Sequence, residues 1–183
     1  MTVPEFKCGD VVCELGQGWL GRAIQWATRG WREAKTVCTH VGRMVNATEI
    51  AEAGLRFVVH PLDTARRIRV WRYKHGFTEV EIKCMQAKAD YYKGRAYGWW
   101  KLIPHLADGI LEKFLPFRHV YLFRRVLFLK DYPICSWEVA WTLSECAGLL
   151  LGTAPRYATP DDIADFLKTS PAWELIFDNV TGA

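Results

Sequence analysis

Residues 37–54 read VCTHVGRMVNATEIAEAG, two short alternating runs separated by a polar break at Asn46-Ala47. The alternation sends Cys38, His40, Gly42 and Met44 to one face of a strand and Val37, Thr39, Val41, Arg43 and Val45 to the other. Asn-Ala between two such runs predicts a tight antiparallel hairpin. Its register decides which acidic side chain meets His40. A two-residue loop puts Glu49 opposite Met44, about 13 Å along the strand from His40. A three-residue loop, 45–47, pairs Met44 with Thr48 and sets Glu52 directly opposite His40, on the same face at about 5 Å. Only the second register gives the imidazole a partner, so Glu52 is expected to orient it.

Outward from the hairpin, FVVHPL (57–62) and RIRVWRYK (67–74) continue the strand-like pattern with short connections, which predicts an antiparallel meander of four segments. The last carries the densest basic run, Arg66, Arg67, Arg69, Arg72 and Lys74, interleaved with Trp71 and Tyr73. Alternation reads it as a half-exposed edge strand rather than a nucleic-acid face. Upstream, Gly9-Asp10 opens the strand VVCEL, and Leu20, Ile24 and Ala27 lie at helical spacing before Gly30. Downstream, Val80, Cys84, Ala87 and Tyr91 predict one face of a helix. A second aromatic helical stretch follows around Trp99 to Leu111, where Pro104 introduces a kink. HVYLFRRVLFLK (119–130) reads as one or two strands and Cys135 to Leu150 as a buried helix. In TPDDIADFLK (159–168), Thr159 is the N-cap, Pro160 holds the first helical position and acidic residues fill the first turn.

At 183 residues, half of them hydrophobic, the chain is sized for one domain of about 150 residues with an extension. No apolar stretch reaches the roughly 18 uncharged residues of a bilayer span. MTVPEFKCGD lacks the basic and apolar regions of a secretion signal, so synthesis in the cytoplasm is expected. The net charge of +4 divides into a basic body (1–137, +9) and an acidic tail (138–183, −5), too mild to argue for nucleic acid. Six cysteines without a signal are expected to be mostly reduced. Cys8, Cys13, Cys38 and His40 lack the paired spacing of a structural zinc site, and no metal or other cofactor is expected.

The candidate nucleophile is Cys135 in DYPICSWEVAW, just after Pro133 and at the start of a helical pattern. There the unpaired amides and the positive end of the helix dipole favour a thiolate, and more so beside an imidazolium. His40, flanked by Gly42, is the candidate base and Glu52 its orienting partner.

GDVV, CTHVGRMV, IAEAG and PICSWEVA, in that order, resemble the circularly permuted branch of the NlpC-type papain-like cysteine hydrolases. That branch includes YiiX-like proteins and is related to the lecithin retinol acyltransferase group. In unpermuted members the cysteine helix comes first; here it comes last. The resemblance covers about residues 8–167 in order. It implies a papain-like α+β fold, with an antiparallel meander packed against the nucleophile helix and a helical insertion near 76–118. It also implies Cys135 as nucleophile, His40 as base and Glu52 as third polar residue, with Asp10, Gly42, Tyr132 and Ser136 shaping the site. The substrate it points to is a peptidoglycan stem peptide. Such a chain would reach its substrate by lysis or through a dedicated secretion apparatus. The Asn-Cys-Glu-His signature of the acyltransferases is absent, since Ile134, Ser136 and Trp137 occupy those places. Two other readings stay open: a lipid-directed thiol hydrolase or acyltransferase with YGWWKLIPHL as a membrane-facing lid, and a catalytically silent binding module. Trp99 and Trp100 are expected to pack in the core, without membrane contact.

Overall fold

The computed structural model describes residues 3–16, 38–54, 56–96, 107 and 134–180. The expected helix near 19–28, the strand at 119–130, Tyr132 and all of the 99–111 stretch except residue 107 lie outside them. Within the described residues, six strands form one antiparallel sheet: β1 (Val11–Glu14), β2 (His40–Met44), β3 (Glu49–Ala53), β4 (Phe57–Pro61), β5 (Ile68–Tyr73) and β6 (Trp173–Asp178). Among the described residues it is accompanied by α1 (Glu79–Tyr92), α2 (Cys135–Ala147), a short 3-10 turn (Pro155–Tyr157) and α3 (Pro160–Thr169). The fold is therefore α+β, as the sequence predicts. No described helix is long and apolar enough to cross a membrane.

The strand order is β4-β3-β2-β1-β5-β6, which corrects the four-segment meander. Of the four predicted segments only β2, β3 and β4 lie side by side in chain order; β5 crosses over and pairs with the far side of β1. Nor is β5 an edge strand, because β6 covers its other side. The reason lies in its two faces. Ile68 and Val70 are buried on one, Trp71 and Tyr73 pack against the core on the other, and a strand apolar on both faces belongs inside a sheet. Its basic residues are matched internally: Arg69 donates to Asp178, Arg72 to both Asp10 oxygens, and Arg66 to Glu14 and Glu52. Arg67 Nη2 and Lys74 donate to the Val180 and Pro171 carbonyls, while Arg67 Nε has no partner among the described residues.

Side chains divide by parity across the sheet. Val11, Cys13 and Val41 pack with Met85 of α1, Val139 and Leu143 of α2, and Ile163 and Leu167 of α3. Val12, Met44, Ile50, Ile68, Val70 and Phe177 cluster with Phe6 on the other face. A third cluster joins Ala51, Ala53 and Phe57 to Ala89, Tyr92, Ile134, Cys135 and Trp137, which seats the start of α2 against β3 and β4.

The helix ends follow local chemistry. Thr159 caps α3 and forms a reciprocal capping box with Asp162, with Pro160 at the first position, as the sequence predicts. Thr78 and Glu81 do the same for α1. The buried stripe of α1 is not the expected one: Met85, Ala89 and Tyr92 face the core, while Val80 is 77% exposed and Tyr91 55%. Both stripes have helical spacing, and the supple Met85 with the small Ala89 fits the close approach of α1 to α2. Helix α2 stops three residues short of Leu150, because Gly148 takes a left-handed φ of 67° and its N–H turns back to Leu143 and Ser144. Cys84 is disulfide-bonded to Cys146, joining α1 to α2, whereas Cys8, Cys13, Cys38 and Cys135 are in no disulfide.

Candidate active site

Cys135 is the first residue of α2, preceded by Ile134 in extended conformation, which supplies no capping side chain. The first intrahelical bond runs from the Glu138 N–H to the Ile134 carbonyl, so the amides of the first turn point toward the sulfur end of the helix. Cys135 is 6% exposed. Its sulfur is hydrogen-bonded to the His40 ring and to the backbone N–H groups of Ser136 and Val41. The β2–β3 pairing ends at Gly42 opposite Glu52, one residue short of Val41. Burial works to raise the Cys135 thiol, but the His40 imidazole and the two amides outweigh it and hold the group below the ordinary thiol range. Burial likewise opposes charge on His40, yet its hydrogen bonds to Cys135 and Glu52 and their negative charge lift it to about 10. These opposite displacements favour negative charge on the sulfur and positive charge on the ring.

The hairpin between β2 and β3 has the right loop length and a different register. Met44 pairs with Ile50 and Gly42 with Glu52, so the loop is 46–48 rather than 45–47. Asn46 decides this. Its Oδ1 accepts from the N–H groups of Thr48 and Glu49, an Asx-type turn, and the Val45 N–H then closes on the Glu49 carbonyl. Glu52 therefore sits diagonally from His40, not opposite it. A register change of two residues keeps every side chain on its face, and a diagonal neighbour at about 7–8 Å is within reach of a long side chain. Glu52 Oε2 lies 3.2 Å from His40 Nε2.

Glu52 has a second diagonal neighbour that the sequence reading missed. His60 of β4 places its Nε2 2.8 Å from Glu52 Oε1 and its Nδ1 2.8 Å from the Pro61 carbonyl. Arg66 donates to the same carboxylate and also to Glu14, at 3.1 Å each. Burial would raise the Glu52 carboxyl, but His40, His60 and Arg66 together hold it well below the usual carboxylate range. Carrying the register on through the second hairpin exposes His60: with Ala53 opposite Phe57, it falls on the Glu52 face two residues beyond Val58.

The remaining predicted residues serve the frame. Gly42 does not leave open space beside the ring; a Cβ there would lie 2.7 Å from Ile50 Cδ1 and 3.0 Å from the Ala51 carbonyl oxygen, so the neighbouring strand fills the position. Asp10 sits at the other end of the β1–β2 pair from His40 and binds Arg72 and the Lys7 N–H, so it shapes the frame and not the surroundings of the imidazole. The Ser136 hydroxyl donates to the Ala158 carbonyl at 2.7 Å, so its side chain ties α2 to the turn before α3 while its amide faces the sulfur. Glu49 accepts from Asn46 Nδ2 in the turn. Glu52→Gln is therefore expected to weaken imidazolium support by about 1.5–3 kcal/mol, roughly ten- to hundred-fold in His40-dependent Cys135 alkylation near neutral pH. Glu49→Gln should leave that rate within about two-fold, because it acts only on an exposed turn. Equal losses from both would remove Glu52 from the role.

No protein-family profile matches the sequence, and no curated protein matches it significantly. Among solved structures the chain is similar to the metalloprotein YiiX of Escherichia coli O157:H7, a protein of DUF1105. The identity is 15%, the TM-score 0.63, and the match covers 96% of this chain and 99% of that one. The likeness extends over nearly the whole of both chains and supports a YiiX-like fold.

Proposed function

We propose that this protein is a cysteine hydrolase that cleaves an amide bond through an acyl-enzyme, with peptidoglycan stem peptides as its substrate class. The observation that carries the reading is the continuous hydrogen-bonded chain from the helix-terminal Cys135 sulfur through His40 to Glu52. In this reading the Cys135 thiolate attacks the carbonyl carbon and the Cys135 N–H at the helix start receives the oxyanion. The C–N bond then breaks, His40 gives its proton to the leaving amine, and a thioester remains. Water, losing a proton to His40, attacks that thioester; the C–S bond breaks, releasing the carboxylic acid and restoring the thiolate–imidazolium pair. Glu52, steadied by His60 and Arg66, keeps Nε2 of His40 protonated, so that Nδ1 serves the sulfur. The substrate class rests on the resemblance of the four motifs and their order.

The structural neighbour is described as a metalloprotein. Among the described residues of this chain no three histidine, cysteine, aspartate or glutamate side chains converge as a metal-ligand set, and both oxygens of Glu52 are engaged by histidines and arginine. The described donors do not fit a metal, and no step is assigned to one.

The test compares purified muropeptides with phospholipid vesicles as substrates and follows new amines and free fatty acid by mass spectrometry. Amine release by the native protein and its loss in Cys135→Ala are expected. Fatty-acid release dependent on Cys135 would transfer the same chemistry to lipid esters, and inertness toward both substrates would overturn the reading.

A further inference from the structure

Arg43 is wholly buried, and so is Glu138, in the interior between β2, α1 and α2. Arg43 Nε and Nη2 donate to Glu138 Oε1 at 3.2 and 3.0 Å, Nη2 also donates to the Met85 carbonyl at 2.8 Å, and Thr142 Oγ1 donates to the same Glu138 oxygen at 3.0 Å. Arg43 Nη1 has no hydrogen-bond partner among the described residues. Stability gives no reason for this arrangement. A buried ion pair seldom outperforms apolar side chains of the same volume, and an unsatisfied N–H makes the balance worse. Position gives one. Arg43 lies three residues after His40 on β2, and Glu138 lies three residues after Cys135 on α2. Both pairs thus span 95 residues. The contact is a second point of attachment between the two elements that bear the thiol and the imidazole.

Two elements joined at one point can still slide or rotate about it. The apolar residues of α2 against β2 tolerate such movement, since hydrophobic packing has no direction. Two N–H groups of one rigid guanidinium converging on a single carboxylate oxygen, which Thr142 one turn along also holds, do not. We propose that Arg43 and Glu138 are positioning residues: their buried ion pair sets the register of α2 against β2 and thereby holds the Cys135 sulfur on the His40 ring. This rests on the reading of Cys135 and His40 as a reactive pair.

The experiment follows iodoacetamide labelling of Cys135 as a function of pH, read by peptide mass spectrometry, in the native protein, His40→Ala, Arg43→Met/Glu138→Leu and Thr142→Val. The double substitution removes both charges together, so no charge is stranded in the core, and near-UV circular dichroism checks its fold. Its labelling profile should move up toward that of ordinary thiols, with the rate at pH 6.5 falling ten-fold or more. Thr142→Val, which removes one donor from Glu138 and keeps the volume, should move it the same way by a smaller amount. A folded double variant with the native profile overturns the proposal. Should the double variant fail to fold, an unchanged profile in Thr142→Val overturns it and a shifted one supports it. A native, His40-dependent profile that neither substitution moves sinks the positioning role alone. Shifted profiles in a protein inert toward amides sink the hydrolase reading alone.

Discussion

His40→Ala is expected to slow alkylation of Cys135 at pH 7 by roughly thirty- to hundred-fold and turnover of a cognate amide by a further 10²–10⁴, on the order of a lost general acid–base. With the imidazole removed, only the Ser136 and Val41 amides still oppose burial, and the thiol rises toward the ordinary range, in which a thiol is about 1–3% ionised at pH 7. The sign of the pH dependence follows from the two displacements. Cys135 is lowered, so native labelling begins below the range of ordinary thiols and increases as pH rises through the lowered value. His40 is raised to about 10, so the proton that the proposed mechanism gives to the leaving amine is present throughout the neutral range and is lost only as pH passes about 10. Native turnover should therefore be bell-shaped, with its falling limb near that value. His40→Ala should show a single late rise in labelling. The measurement is labelling of each cysteine peptide from pH 5 to 11. Cys8 and Cys38, both raised chiefly by burial, serve as internal references. Equal labelling of Cys135 and these two at pH 6.5 would make Cys135 a structural residue.

Opening the Cys84–Cys146 bridge is expected to lower unfolding free energy by about 4 kcal/mol, the chain-entropy value for a long closed loop. The two cysteines are 62 residues apart, so the crosslink denies the unfolded chain a large set of conformations. It also fastens α1 to α2 beside the Lys88–Glu145 ion pair, which on its own is half-exposed and adds little. Urea titration of the native protein and of Cys84→Ser/Cys146→Ser, both under non-reducing conditions, measures the difference. A loss below about 1 kcal/mol would show that the unfolded chain is already compact or that the bridge strains the fold. Labelling of Cys135 in the folded double variant should be preserved, because Arg43, Glu138 and Met85 already join the two helices to β2.

The elements that could be read from the chain alone are those whose cause lies within a few residues. Period-two alternation marks β1 to β5, and the Thr159 cap with Pro160 and Asp162 marks α3. The position of Cys135 after a proline and before a helical pattern marks the helix start. The face shared by His40 and Glu52 was also legible, and it survived an error in register because a slip of two residues preserves the face. Glu52 rather than Glu49 meets His40 for the same reason: Glu49 is of the wrong parity at either register with a three-residue loop. β6 carried a signal too weak to stand alone, since WELIFD exposes Leu175 and becomes a strand by pairing with β5.

What the sequence determined by itself is thus local backbone conformation and the face each side chain takes, because sterics, caps and hydrogen bonds within about four residues dictate both. Only the tertiary structure decided the order of the strands, the diagonal rather than direct pairing of His40 with Glu52, the enclosure of Glu52 by His60 and Arg66, and the Arg43–Glu138 pair. Contacts such as the last, across 95 residues, have no local signature. They depend on which of several equally patterned apolar faces pack together, and that choice is made by the whole core at once.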